Sequence, residues 1–126
     1  MPVINQTEIV AEVRAVFLQY EAALLAHDVQ ALNNYFWDSE TTVRYGLAEH
    51  SYGSAAIHAY RTLATPVDPR RKLHNMVITT IGNDVASICT EFSIPGQELV
   101  GRQTQTWMRC TAGWKIVAAH VSAIRL

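Results

Sequence analysis

The chain has 126 residues, 49% hydrophobic and 17% charged, enough to bury one core but not two, so a single domain over 1–126 is expected. A net charge of −1 excludes nucleic acid as the main partner, because neutralising phosphates needs a clear basic excess. Met1 to Val10 shows no cationic start before an apolar run, and no apolar stretch approaches the roughly 20 residues that span a bilayer; a cytoplasmic protein without membrane contact is the expectation.

Ile9, Val13, Val16, Phe17, Tyr20 and Leu24 recur at spacings of three and four. Glu8, Glu12, Arg14 and Glu21 lie elsewhere on the wheel, so the first element is an amphipathic helix. Asn5-Gln-Thr-Glu8 has the spacing of a capping box at its start. His27-Asp28 ends it, and Asp28 can cap a second short helix with Val29, Leu32, Tyr35 and Phe36 on one face. Thr41-Thr-Val-Arg-Tyr45 reads as a strand, Gly46 to His50 as a turn and Ser51-Tyr52 as a brief extended piece. Gly53-Ser54 opens a third helix through Ala55, Ile57, Ala59 and Tyr60, with Ser54 as its cap, and Thr65-Pro-Val-Asp-Pro69 stops it. The densest basic run, Pro69-Arg70-Arg71-Lys72, reads as a solvated loop or strand entry.

Four strand-like stretches follow, Lys72 to Ile81, Val85 to Ile94, Gly101 to Thr111 and Trp114 to Arg125. Gly82-Asn83-Asp84, Pro95-Gly96-Gln97 and Ala112-Gly113 separate them as turns. If Ala112-Gly113 is a two-residue turn, Gln105 faces His120 and Gln103 faces Ser122. One hairpin face then carries Gln103, Gln105, Trp107, His120 and Ser122, and the other Thr104, Thr106, Met108, Val117, Ala119 and Val121. A polar row inside a sheet points to a bound polar ligand or an internal network. The smooth face is suited to a homodimer contact. Helices first and an antiparallel meander after give an α+β layout, a curved antiparallel sheet wrapped around the long N-terminal helix. Such a cone has an open end that makes a natural small-molecule pocket.

This order and its hairpin are similar to the nuclear transport factor 2-like superfamily, whose cystatin-like cone serves isomerases, dehydratases and pure binding modules. More narrowly, Thr42-Val-Arg-Tyr-Gly46, Glu49 with Tyr52-Gly53, Gly101-Arg-Gln-Thr-Gln-Thr-Trp107 and Gly113-Trp-Lys-Ile-Val-Ala-Ala-His-Val-Ser122 resemble the AtzH-like family over nearly the whole chain. The resemblance implies a small accessory enzyme of ureide and cyanuric acid breakdown, working beside amidases on carboxylated ureas or oxalate-derived amides. It also implies catalytic roles for Tyr20 and Arg44.

Read as residues, Tyr20 sits where a helix plugs a cone, either as a core tyrosine or as a phenol aimed into the pocket; phenols keep a proton to donate near neutral pH. Arg44, mid-strand, offers the planar fork that fits a carboxylate. Gln105, Trp107, His120 and Ser122 are candidate substrate contacts, and the Gln–His pair is equally readable as a self-satisfied network. Glu49 and Glu91 are the acids nearest the mouth, each solvated, paired to an arginine or able to act as a base.

The five histidines and two cysteines show no ligand spacing, and no nucleophile elbow, phosphate loop or dinucleotide fingerprint occurs, so neither metal nor cofactor is expected. Cys89 and Cys110 read as buried free thiols. The expected protein binds a small anionic substrate, decarboxylates or hydrolyses it at a C–N bond, forms a homodimer and is linked functionally to an amidase. The rival is a non-catalytic module that binds a metabolite or stabilises an amidase. A steroid-type isomerase wants an acid deep in an apolar cone, and the inward hairpin face has none.

Overall fold

The computed structural model describes residues 1–126. Helix α1 (Thr7–Leu25) buries Val13, Phe17, Tyr20 and Leu24, the stripe expected from spacing, and Glu21 is buried with them. The expected capping box does not form, because Asn5 takes φ 56° and turns towards Thr80. Its Oδ1 accepts from the Thr80 N–H at 2.8 Å and its own N–H donates to the Thr80 carbonyl at 3.1 Å. Helix α2 (Val29–Tyr35) is capped as expected, Asp28 Oδ1 accepting from the Ala31 N–H at 3.1 Å.

Strands β1 (Val43–Tyr45) and β2 (His50–Tyr52) lead into helix α3 (Ser54–Leu63). Ser54 is not its cap; the hydroxyl donates to Asp38 Oδ1 at 2.9 Å and accepts from the Ser39 N–H at 3.1 Å, pinning the segment before β1. Strands β3 (Lys72–Ile81), β4 (Val85–Ser93), β5 (Leu99–Cys110) and β6 (Gly113–Arg125) complete one sheet in the order β2-β1-β6-β5-β4-β3. The meander is antiparallel, but β1 joins β6 in parallel, so the sheet is mixed. Phe17, Leu32, Ile57, Ile88, Trp107 and Ile116 are at most 1% exposed and form the centre of the core between sheet and helices. Each such side chain contributes about 1.5–3 kcal/mol by leaving water.

The β5–β6 hairpin corrects the expected register. Cys110 pairs with Gly113, so the turn is Thr111-Ala112. Trp107 pairs with Ile116, but Thr106 pairs with Ala118, leaving Val117 as an extra residue in a bulge. Past the bulge every β6 side chain changes face. Gln105 therefore sits opposite Ala119 and Gln103 opposite Val121, while His120 pairs with Thr104 and Ser122 with Arg102 on the outer face. Ala119 and Val121, expected on the smooth outer face, are turned inward. Cys89 is exposed and Cys110 half-buried, where two buried thiols were expected. No helix is long and apolar enough to cross a membrane.

Candidate functional site

The hollow between α1, α3 and the sheet holds a cavity of about 160 Å³. Drug-sized pockets run to roughly 300–1,000 Å³, so this one suits a ligand of few heavy atoms. Tyr20, Arg44, Tyr60, Arg61, Arg71, Gln103 and Gln105 bring the polar groups to its wall, with Leu24, Val67, Phe92, Ala119 and Val121 among the apolar ones.

Tyr20 is 4% exposed. Its ring meets Tyr35, Phe36 and Trp107 edge-on at 5.8, 6.4 and 6.1 Å between centroids, and this aromatic cluster fixes its direction. The hydroxyl makes no hydrogen bond to protein and lines the cavity. Arg44 reaches the cavity from β1, where it pairs with Ala119, and its guanidinium lies 4.8 Å from the centre of the Tyr60 ring. It is ion-paired with Glu49. The Gly46 N–H donates to the Glu49 carbonyl at 2.8 Å, and a methyl at Gly46 would occupy the space of the Glu49 carboxylate. Glycine at 46 thus lets Glu49 fold back onto Arg44.

Arg71, expected in solvent, is 8% exposed instead. It donates to both oxygens of buried Glu21, at 3.0 and 3.2 Å, and to Gln103 Oε1 at 2.7 Å. Burying this charge is tolerable because it is fully answered. With Oε1 so committed, Gln103 Nε2 is buried without an acceptor. Gln105 Oε1 accepts from the Trp107 indole N–H at 2.9 Å. That N–H can only donate, so the amide orientation is forced and Nε2 is left for the cavity that Gln105 lines.

Arg61, on α3, is 4% exposed, has no ion-pair partner and donates no hydrogen bond to protein. Burial pushes its guanidinium below the ordinary arginine range, the charge of Arg44 adds to this, and Tyr20, Tyr60 and Glu49 oppose it.

Of the expected site residues, Tyr20, Arg44, Glu49 and Gln105 meet at this cavity, and Trp107 stands behind it, holding Gln105. His120 and Ser122 do not; His120 is exposed, its ring 5.6 Å from that of Tyr45, and Ser122 accepts from Arg102 Nε at 3.2 Å. Glu91 accepts from Asn75 Nδ2 at 3.2 Å and is not on the wall. Sequence reasoning missed Arg61, Arg71 and Glu21. Arg61 had a signal: with Ser54 and Ile57 it follows the i, i+3, i+7 pattern of a buried stripe, on which an arginine is out of place.

The helix-filled curved sheet and donor-rich pocket define a cone-fold protein of the nuclear transport factor 2-like, cystatin-like type. The chain belongs to the AtzH-like family, whose profile matches residues 2–125. It is similar to a cystatin-like fold protein from Burkholderia xenovorans, with 50% identity, a TM-score of 0.96, and coverage of 100% of this chain and 99% of that one. A protein of unknown function from the DUF3225 family of Pectobacterium atrosepticum shares 46% identity at a TM-score of 0.93, covering 96% and 94% of the two chains. An NTF2-like protein of unknown function from Pseudomonas putida, at 18% identity and TM-score 0.75 over 93% and 87%, shares the fold. No curated protein matches the chain.

Proposed function

We propose that this protein is a cofactor-free enzyme that removes the carboxyl group from, or hydrolyses, a small carboxylated urea or oxalate-derived amide at its C–N bond. The observation that carries this reading is the cavity's polar inventory: three guanidinium groups, the amides of Gln103 and Gln105, and the phenols of Tyr20 and Tyr60. Such a wall answers oxygen anions and supplies a proton.

For an N-carboxylated substrate the step balances simply. Tyr20 gives its proton to the nitrogen, the C–N bonding pair moves to nitrogen, carbon dioxide leaves, and the phenolate recovers a proton from water. Arg44 holds the site's charge balance beside the carboxyl group, and Gln105, fixed by Trp107, orients the carbonyl. Glu49 keeps Arg44 in place. His120 and Ser122, on the outer face, have no part in it. Hydrolysis requires a base for water, and the acid on the cavity wall, Glu49, and the one behind Arg71, Glu21, are both bound to arginines. Decarboxylation is therefore the favoured step.

The same pairing of every nearby acid favours one rival, a module that binds a metabolite or supports an amidase without turnover. Purified protein incubated alone with N-carboxylated ureas and oxamate-type amides, with carbon dioxide and ammonia release followed, decides between them. Product only on addition of an amidase would establish the rival. The outer sheet face, with Val77, Val85, Thr104, Thr106 and Met108, is the proposed homodimer contact.

A further inference from the structure

We propose that Arg61 is the seat of the ligand's carboxylate, with Arg44 and Arg71 shaping the cavity around it; this deepens the reading above and rests on it only for the chemical class of ligand. Three arginines reach the cavity wall, and two arrive already answered. Arg71 is held by Glu21 and Gln103, and Arg44 by Glu49. Arg61 alone is left, 4% exposed, its guanidinium carbon 5.5 Å from the centroid of the neighbouring Tyr60 ring.

A guanidinium does not shed its proton, so the charge persists in a place where water cannot solvate it fully. An arriving carboxylate supplies the missing partner, and the planar fork accepts it with two parallel hydrogen bonds. Gln105 and Gln103 line the same cavity, and Gln103 Nε2 is buried there without an acceptor. The fitting ligand is a small carboxylate that also carries a carbonyl oxygen, rich in acceptors and poor in donors.

A packing arginine and a ligand seat differ in what happens when the charge is removed. Replacing an unpaired buried charge by an isosteric apolar chain relieves the empty protein, whereas replacing a structural one weakens it. The test is calorimetric titration of the full chain with oxamate, which joins one carboxylate to one amide carbonyl, alongside thermal melts. Arg61→Met should bind oxamate roughly 10- to 100-fold more weakly, the usual worth of a charge-assisted contact. Its ligand-free melting temperature should equal or exceed that of the unaltered chain, and the rise on adding oxamate should vanish. Arg61→Lys, which keeps the charge without the fork, should fall between the two.

Unchanged affinity in either variant, a lowered ligand-free melting temperature in Arg61→Met, or no binding of oxamate, malonate or acetate by the unaltered chain would overturn the assignment. Turnover enters none of these readings. Lost binding in a protein that turns nothing over leaves the seat standing and removes the enzymatic role; full turnover in Arg61→Met does the opposite.

Discussion

Arg71 lies over the ring of Phe92, 4.0 Å from guanidinium carbon to ring centroid, in space that exists only because residue 101 on the neighbouring strand has no side chain. A β-carbon at Gly101 would lie 2.2 to 2.4 Å from three carbons of that ring, far inside van der Waals contact. Gly101→Ala should therefore push Phe92 out of place and Arg71 with it. The expected cost is about 1–3 kcal/mol, the range for overpacking a well-filled core, read from urea denaturation. A denaturation midpoint equal to that of the unaltered chain would show that the ring has room to move.

The Arg71–Glu21 pair gives a larger effect. Their side chains are 5% and 8% exposed, so Glu21→Gln leaves a buried charge without its counterion. A loss of about 3–5 kcal/mol is expected. The double change Glu21→Leu with Arg71→Met should recover most of it, since burying two apolar chains of similar size avoids the desolvation cost. If the double variant is no more stable than Glu21→Gln, the pair is not the source of the loss.

Tyr20→Phe removes a hydroxyl that bonds to nothing in the protein and keeps a ring that meets Tyr35 and Trp107. The melting temperature should hold while turnover falls by roughly 10²-fold or more, the worth of a positioned proton donor. Intact turnover would remove Tyr20 from the mechanism.

Acid should loosen the join between α1 and the hairpin. Glu12 bonds to Arg109 and accepts from the Trp114 indole N–H at 2.8 Å, and these contacts, Arg109 first, hold its carboxyl below the usual value of 4.5. A depressed carboxylate stabilises the fold above its unfolded pKa, and that contribution disappears as pH falls from about 4.5 through the lower folded value. Glu12 is 41% exposed, so solvent screening keeps the effect under about 1 kcal/mol. Stability measured from pH 6 to 3 should fall less steeply in Glu12→Gln; parallel curves would place the acid sensitivity elsewhere.

The dimer proposal has a direct readout. Val77 is 59% exposed and Val85 38% exposed on the outer face. Light scattering should give about twice the 14.1 kDa chain mass, and Val77→Lys should shift it towards the monomer. A monomer at micromolar concentration in the unaltered chain sinks the idea.

The strands were legible almost residue for residue, because Gly82, Gly96 and Gly113 punctuate alternating runs and all three take positive φ. What alternation cannot carry is parity across an irregularity. Nothing in Trp-Lys-Ile-Val-Ala-Ala-His marks Val117 as the bulge, since the strand holds no glycine or proline there, and so His120 and Ser122 were read onto the wrong wall. Glu21 and Arg71 escaped for a different reason. Each is a charged residue whose burial depends on a partner 50 positions away, a coincidence no local pattern records. Tyr20, Arg44 and Gln105 reached the cavity because each lies on an element whose face its own neighbours already define, while Glu49, in the loop between β1 and β2, reaches it through its pairing with Arg44.

Val117 divides β6 into two segments that obey opposite rules of inside and outside. Pairing Val117 with Thr106 instead of bulging it out would slip the rest of β6 by one residue and carry His120 and Ser122 into the hollow while ejecting Ala119 and Val121. The side chains that line the hollow beyond Ile116 are thus chosen by the bulge and not by alternation along the whole strand. On this scaffold a one-residue slip of β6 along β5, with no substitution at all, would exchange small apolar side chains on the pocket wall for an imidazole and a hydroxyl.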